Sequence, residues 1–183
     1  MTATDTPRLV LRPISREVAV AILEGRELEG VVLAVGYPSQ FSLEVMEAFA
    51  RPSSAASGLG PSFFIVRKAD GAILGEIGYV RDAAAGTARV GYTLVERCWG
   101  QGYATEALRA LVADLFAQQG VRRVFAETLV GHTASRRVME KAGMRLCGHR
   151  TGEEAGEKVE LVVYEITPDV EPDARHSYRQ VMG

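Results

Sequence analysis

The run Arg97-Cys98-Trp99-Gly100-Gln101-Gly102-Tyr103-Ala104 carries the pattern best suited to chemistry: two glycines one residue apart, where an apolar stretch gives way to a helical period. Glycine has no Cβ, so the backbone there can approach a ligand closely. Successive N–H groups at a helix N-terminus then form a concave anion site, reinforced by the helix dipole. The guest such a site suits is a phosphate or diphosphate, held by main-chain hydrogens rather than by charged side chains. A Gly-x-Gly pair also serves simply to turn a strand into a helix, so its surroundings must decide. Two nucleotide motifs fail on spacing. The dinucleotide fingerprint needs a third small residue where Thr105 stands, and opens a first βαβ unit instead of falling mid-chain. The NTPase phosphate loop needs Gly-Lys-Ser/Thr, and here Tyr103 follows Gly102.

Other chemistries find less support. Cys98 and Cys147 show neither metal-ligand spacing nor a disulfide framework, and His132, His149 and His176 are scattered without an HExxH-like pattern. No metal is expected. No Ser–His–Asp or Cys–His–Asp set is visible, so a covalent enzyme intermediate is not expected either.

The elements that must position the loop follow from periodicity. Arg8–Pro13 alternates and ends in proline, a short first strand, and Ser15 is placed to cap a helix to about Leu23. A second helix is expected near Leu43–Phe49, followed by a Gly/Ser/Pro-rich loop over Pro52–Ser62. Phe63–Arg67, Ile73–Val80 and Ala88–Val95 read as strands, the first two joined by Asp70-Gly71, a strong hairpin signal. Ala104, Ala107, Leu108, Leu111 and Leu115 mark the apolar face of a helix from Tyr103 to Gln118, terminated by Gly120. A strand over Val121–Leu129, a helix over Thr133–Ala142 and strands over Met144–Arg150 and Val159–Thr167 complete the order, with a turn over Thr151–Lys158 and a polar tail over Pro168–Gly183. An antiparallel block feeding a strand–helix–strand–helix–strand unit gives an α/β (α+β) fold, a mixed sheet with helices on both faces.

With 183 residues the chain suits one domain, with its core over about residues 8–166. Its 21 basic and 23 acidic residues nearly balance, which argues against a nucleic-acid or membrane-surface partner. The start MTATDTPRLV has no basic stretch before an apolar run, so no signal peptide is expected. The sparse cysteines fit a cytoplasmic setting.

Arg97 to Gly102 resembles the Arg/Gln-x-x-Gly-x-Gly/Ala signature of the GNAT superfamily of N-acetyltransferases. The string Gly91-Tyr92-Thr93-Leu94 … Gly100-Gln101-Gly102-Tyr103-Ala104-Thr105-Glu106-Ala107 is similar to its RimJ/RimL-like branch. His132-Thr133-Ala134-Ser135 … Glu140-Lys141-Ala142-Gly143-Met144 is similar to a second signature, Asn-x-x-Ser … Glu-Lys-x-Gly-Phe. The resemblance implies a single-domain, mostly antiparallel mixed sheet split between its fourth and fifth strands. It implies that Leu94 and Val95 pair with the pantetheine arm of acetyl-coenzyme A by β-augmentation, and that a backbone N–H near Leu94 polarises the thioester. The cofactor set it implies is Leu94, Val95, Arg97, Trp99, Gly100, Gln101, Gly102, Tyr103, Ala104, Thr105, His132 and Ser135. The expected reaction moves an acetyl group to an amine acceptor, a protein N-terminus or a small molecule. Family habit points to a homodimer. A coenzyme A-binding module without turnover, or an enzyme for a larger acyl group, remains an alternative.

The chain departs from the pattern at four positions. His132 stands where the family has Asn; it is a poorer cap, with structural, cofactor-contact or base roles open to it. The proton-donating tyrosine of many relatives falls at Met139, leaving Ser135, one turn earlier, to hydrogen-bond the departing sulfur. Relatives often carry Glu before Ile-Gly-Tyr, but here Arg89 precedes Val90-Gly91-Tyr92, so Glu76, Glu127 and Tyr92 are the candidate bases. Met144 replaces an aromatic residue and is expected in the core. Lys141 and Arg137 are candidates to meet the nucleotide phosphates, and Tyr37 and Phe41 to line an acceptor pocket.

Overall fold

A computed structural model describes residues 3–27, 29–51, 60–118, 120–154 and 156–168. The expected loop over Pro52–Ser62 and the polar tail fall almost wholly outside the described residues. Nine strands and four α-helices are found among the described residues: β1 (Thr4–Asp5), β2 (Leu9–Pro13), α1 (Arg16–Leu23), β3 (Val32–Leu33), α2 (Gln40–Ala50), β4 (Ser62–Arg67), β5 (Ala72–Asp82), β6 (Thr87–Leu94), α3 (Tyr103–Ala117), β7 (Arg123–Leu129), α4 (Thr133–Lys141), β8 (Arg145–Glu154) and β9 (Glu157–Ile166). The sheet runs β1-β2-β4-β5-β6-β7-β9-β8, with β3 added parallel to β5.

Capping chemistry sets the first two helices. The Ser15 hydroxyl accepts from Val18 N–H at 3.3 Å and Ser39 from Ser42 N–H at 3.1 Å, each satisfying one of the orphan donors of a first turn. Helix α3 buries Ala107, Leu108, Leu111, Val112 and Leu115 on one stripe. Full burial of each leucine contributes roughly 1.5–3 kcal/mol, which anchors the helix whose N-terminus forms the glycine turn. Met139 and Met144 are buried, so Met144 packs in the core as the sequence suggests.

The sheet is mostly antiparallel; its exceptions are β3 on β5 and the central pair β6 and β7, the fourth and fifth strands expected from sequence. That parallel pair touches only at Thr87, Ala88 and Arg89 opposite Arg123, Val124 and Phe125. Beyond Arg89, β6 runs on to Leu94 and β7 to Leu129 with no ladder between them, so the sheet opens as a V. The expected split is present. Its two faces can be told apart from side-chain alternation. Glu76 pairs across strands with Thr93 and bonds Ser42 of α2, whereas Tyr92, one residue along and on the opposite face, bonds Ser135 of α4.

The sequence reading errs on the last hairpin. The reversal inside Thr151–Lys158 is much shorter than expected: β8 and β9 pair through Thr151↔Glu160, Gly152↔Val159 and Glu153↔Lys158 as far as Glu154↔Glu157. Polar, turn-prone residues form strand there because the ladder supplies what intrinsic propensity does not. Strands β1 and β3, two residues each, are too short to show any period.

Candidate active site

Strand β6 ends at Leu94, a 3₁₀ turn follows over Glu96–Cys98, and the chain enters α3 through Gly100 and Gly102. Both glycines are left-handed, φ 73° and 82°, a conformation side-chain-bearing residues seldom adopt. Gly102 is the N-cap of α3, and the first N–H taken up inside the helix is that of Glu106, bonded to the Gly102 carbonyl at 3.0 Å. The N–H groups of Tyr103, Ala104 and Thr105 precede that bond and are the orphan donors of the turn.

A residue that sequence reasoning missed holds this turn in place. Arg8, on the approach to β2, donates Nη1 to the Gln101 carbonyl at 2.9 Å and Nε to the Glu106 carboxylate at 2.7 Å, with its guanidinium 4.7 Å from the Tyr103 ring centre. Arg8 lies 93 residues from Gln101 in sequence, so no local pattern could reveal the contact. Burial pushes the Glu106 carboxyl up, but hydrogen bonds from Thr6 and from Arg8 outweigh it and hold the group below its ordinary value. Arg8→Ala is expected to weaken coenzyme A binding about fivefold, the scale of a half-exposed ion pair, as read by calorimetry. Unaltered affinity would mean that the turn holds its shape without the clamp.

Between this turn, the end of β6 and α4 lies a cavity of about 320 Å³. Of the sequence-derived cofactor set, Leu94, Trp99, Gly100, Gly102, Tyr103, Ala104, Thr105, His132 and Ser135 line it, and so do Arg137 and Lys141. Val95, Arg97 and Gln101 do not. The Val95 N–H donates to the Leu74 carbonyl and its carbonyl accepts from Cys98, both at 2.9 Å, so its N–H is taken up by β5 rather than offered to a ligand strand. Because Val95 turns its N–H towards β5, strand alternation turns the backbone groups of Leu94 towards the split. The Leu94 carbonyl accepts from the Trp99 indole at 2.8 Å. Arg97 uses its carbonyl to hold the Gln101 side chain at 2.9 Å. His132 occupies the N-cap of α4 without a side-chain capping bond; its Nδ1 lies 3.2 Å from the Thr128 hydroxyl.

Tyr92 lies at the mouth of the V. Its hydroxyl donates to the Ser135 carbonyl at 3.1 Å and sits 3.0 Å from the Ser135 hydroxyl. Burial pushes the phenol up to about 12, against a smaller opposing pull from the Ser135 hydrogen bond. On the α2 face lies a second depression of about 540 Å³, lined by Phe41, Glu76, Gly78, Arg89, Gly91, Glu127, Arg150 and neighbours; Tyr92 is common to the walls of both. Glu76 is 3% exposed, and its carboxylate accepts from the Tyr37 hydroxyl and, at 3.0 Å, from Ser42. Burial raises its pKa more than those two hydroxyls lower it. Glu127 is otherwise engaged, bound by both arms of the Arg150 guanidinium at 2.5 and 2.7 Å and approached by Arg89 at 4.0 Å. Phe41 lines the depression, whereas Tyr37 contributes through Glu76. Among the described residues no group of three or more His, Cys, Asp or Glu is arranged to hold a metal ion.

The family model described as "Acetyltransferase (GNAT) domain" matches residues 8–145. The uncharacterized N-acetyltransferase YoaA of Bacillus subtilis is 27% identical over 146 residues, covering 77% of this chain and 81% of that protein. Among solved structures, a GNAT-family acetyltransferase from Bacillus anthracis superposes with TM-score 0.68 at 20% identity, over 90% of this chain and 98% of its own. The ribosomal L7/L12 alpha-N-protein acetyltransferase RimL, solved with coenzyme A, superposes with TM-score 0.69 at 18% identity, over 90% and 97%. At these identities the superpositions speak for the fold alone.

Proposed function

The chain belongs to the GNAT acetyltransferases, and from that premise we propose that it moves an acetyl group from acetyl-coenzyme A to an amine by direct attack within a ternary complex. The observation that carries this reading is a pair of depressions with Tyr92 in both walls, one on each face of a sheet that opens between β6 and β7. Donor and acceptor can then enter from opposite sides and react at the split. The orphan N–H groups of the glycine turn suit the diphosphate, with Arg137 and Lys141 at the wall for remaining phosphate charge. The narrow gap beside Leu94 suits the pantetheine arm, and the Leu94 N–H suits the thioester oxygen.

Three groups compete to take the amine proton. Tyr92, raised to about 12, stays protonated at neutral pH and serves as a donor. Glu127 is neutralised by Arg150. Glu76 is left: buried, without a cationic partner among its hydrogen bonds, and with a raised pKa that suits proton uptake, directly or through one water. As the amine nitrogen bonds to the acetyl carbon and the carbon–sulfur bond breaks, the linked Tyr92 and Ser135 hydroxyls in the cavity wall are the donors offered to the departing thiolate. An α-amine, with pKa about 7.8, is neutral several hundred times more often at pH 7 than a lysine at about 10.4, which favours α-amines as acceptors.

The test is thiol release from acetyl-coenzyme A by the pure protein over a panel of peptide and small-molecule amines. Binding of coenzyme A without transfer to any of them would sink the enzyme reading. Ser135→Ala is expected to lower kcat about tenfold, the worth of one hydrogen bond to a charged group, with the acetyl-coenzyme A Kd within about twofold of wild type. An unchanged kcat would remove Ser135 from the reaction.

A further inference from the structure

The acceptor depression is electrically lopsided. At its β5 end stands the buried Glu76 carboxylate, held by two hydroxyls. At its far side two guanidiniums, Arg89 and Arg150, converge on the single carboxylate of Glu127. Arg150 makes two short bonds to it, whereas Arg89 reaches it only at 4.0 Å with a side chain 55% exposed. Two cations on one anion leave a unit of positive charge, and Arg89 is the member with donors to spare. Gly78 and Gly91 face one another across β5 and β6 between the two ends. A Cβ built on Gly91 would meet nothing within 4 Å, whereas one on Gly78 would run into Ser62 Oγ, so the floor is open on its β6 side.

Along β6 Glu76 is level with Thr93, and Arg89 stands four residues further down the same face, about 13 Å at strand rise. Resting on the acceptor site proposed above, we infer that the preferred acceptor is a peptide-like amine carrying a carboxylate a few residues from its nitrogen. The ammonium docks at Glu76 and the carboxylate at Arg89. A free α-amino acid, with its two charges one carbon apart, cannot bridge that distance; a tripeptide at about 3.3–3.6 Å per residue can.

The inference is tested with C-terminally amidated peptides differing only at the third residue, glutamate against glutamine. Wild type should favour glutamate about two- to fivefold in kcat/KM, the worth of a partly exposed ion pair, mainly through KM, and lose the preference in high salt. Arg89→Gln should erase the preference and Arg89→Glu should turn it towards a third-residue lysine, with coenzyme A affinity and the melting temperature as checks on folding. Equal use of glutamate and glutamine peptides by wild type overturns the inference while leaving amine acetylation intact. A preference that survives in Arg89→Glu overturns it too. Absence of transfer to every amine overturns both.

Discussion

Replacing Gly102 by glutamate is expected to abolish measurable coenzyme A binding while leaving the fold standing. Three effects act together. Gly102 is left-handed at φ 82°, and a residue with a Cβ there costs roughly 1–2 kcal/mol. A Cβ at that position would sit 3.3 Å from Nη2 of Arg8, disturbing the clamp on Gln101 and Glu106. The third effect dominates. A carboxylate at the N-cap of α3 can turn back onto the orphan N–H groups of Tyr103 to Thr105 and act as a tethered competitor for the diphosphate. Each lost main-chain bond to a charged phosphate is worth about 1.5–3 kcal/mol, so losing two lowers affinity by about a hundredfold or more. The same carboxylate is favourable for the helix, because negative charge at an N-terminus offsets the dipole, so thermal stability should fall little. Gly102→Ala separates the causes. It keeps the strain and the near contact without the charge, and should weaken binding far less. Titration calorimetry of both variants with coenzyme A makes the comparison. Equal affinity in Gly102→Glu and wild type would mean that the diphosphate does not sit on this turn.

What could be read from the sequence depended on how local its cause was. The glycine turn was legible because strand, turn and helix period are consecutive in the chain, and the stripe from Ala107 to Leu115 announces α3 by itself. The split between β6 and β7 was not derivable from pattern. Both strands look ordinary, and their divergence is set by which neighbours each finds; only the family resemblance anticipated it. The environment of Glu76 was illegible for the same reason. Its partners Tyr37 and Ser42 lie 39 and 34 residues away, in a region of weak periodicity. Glu127 and Glu76 looked alike as candidate bases, and only the fold distinguishes them by giving one an arginine 23 residues distant and the other two hydroxyls. Val95 was assigned to the ligand by analogy with strand addition, but it lies one residue past the point where the backbone faces the split.

Glu76→Gln should produce the largest loss of turnover, with a stability change of opposite sign. Glutamine keeps the shape, accepting through its one oxygen from one of the two hydroxyls and donating its amide to the other, but it cannot take a proton. Loss of a positioned general base lowers kcat about 10²- to 10⁴-fold, and the acidic limb of the kcat/KM profile should vanish with it. The acetyl-coenzyme A Kd should not change, since Glu76 opens onto the acceptor side rather than the cofactor cavity. Stability supplies an independent check. Burial raises the folded pKa of Glu76 above its unfolded value of about 4.3, so the neutral acid is the form the fold prefers. Its favourable contribution is complete below the unfolded pKa and is lost as pH rises through the folded one. Above its folded pKa the wild type therefore carries a buried charge that Glu76→Gln lacks, and the variant should melt at the higher temperature in alkaline buffer. The gap should narrow as the pH falls through that pKa towards acid. A residue kept only to hold α2 on the sheet would behave differently: its replacement would lower the melting temperature in alkaline and acid buffer alike and leave the pH profile of any residual activity unmoved. That pair of results would strip Glu76 of its role as base and leave deprotonation of the amine to solvent.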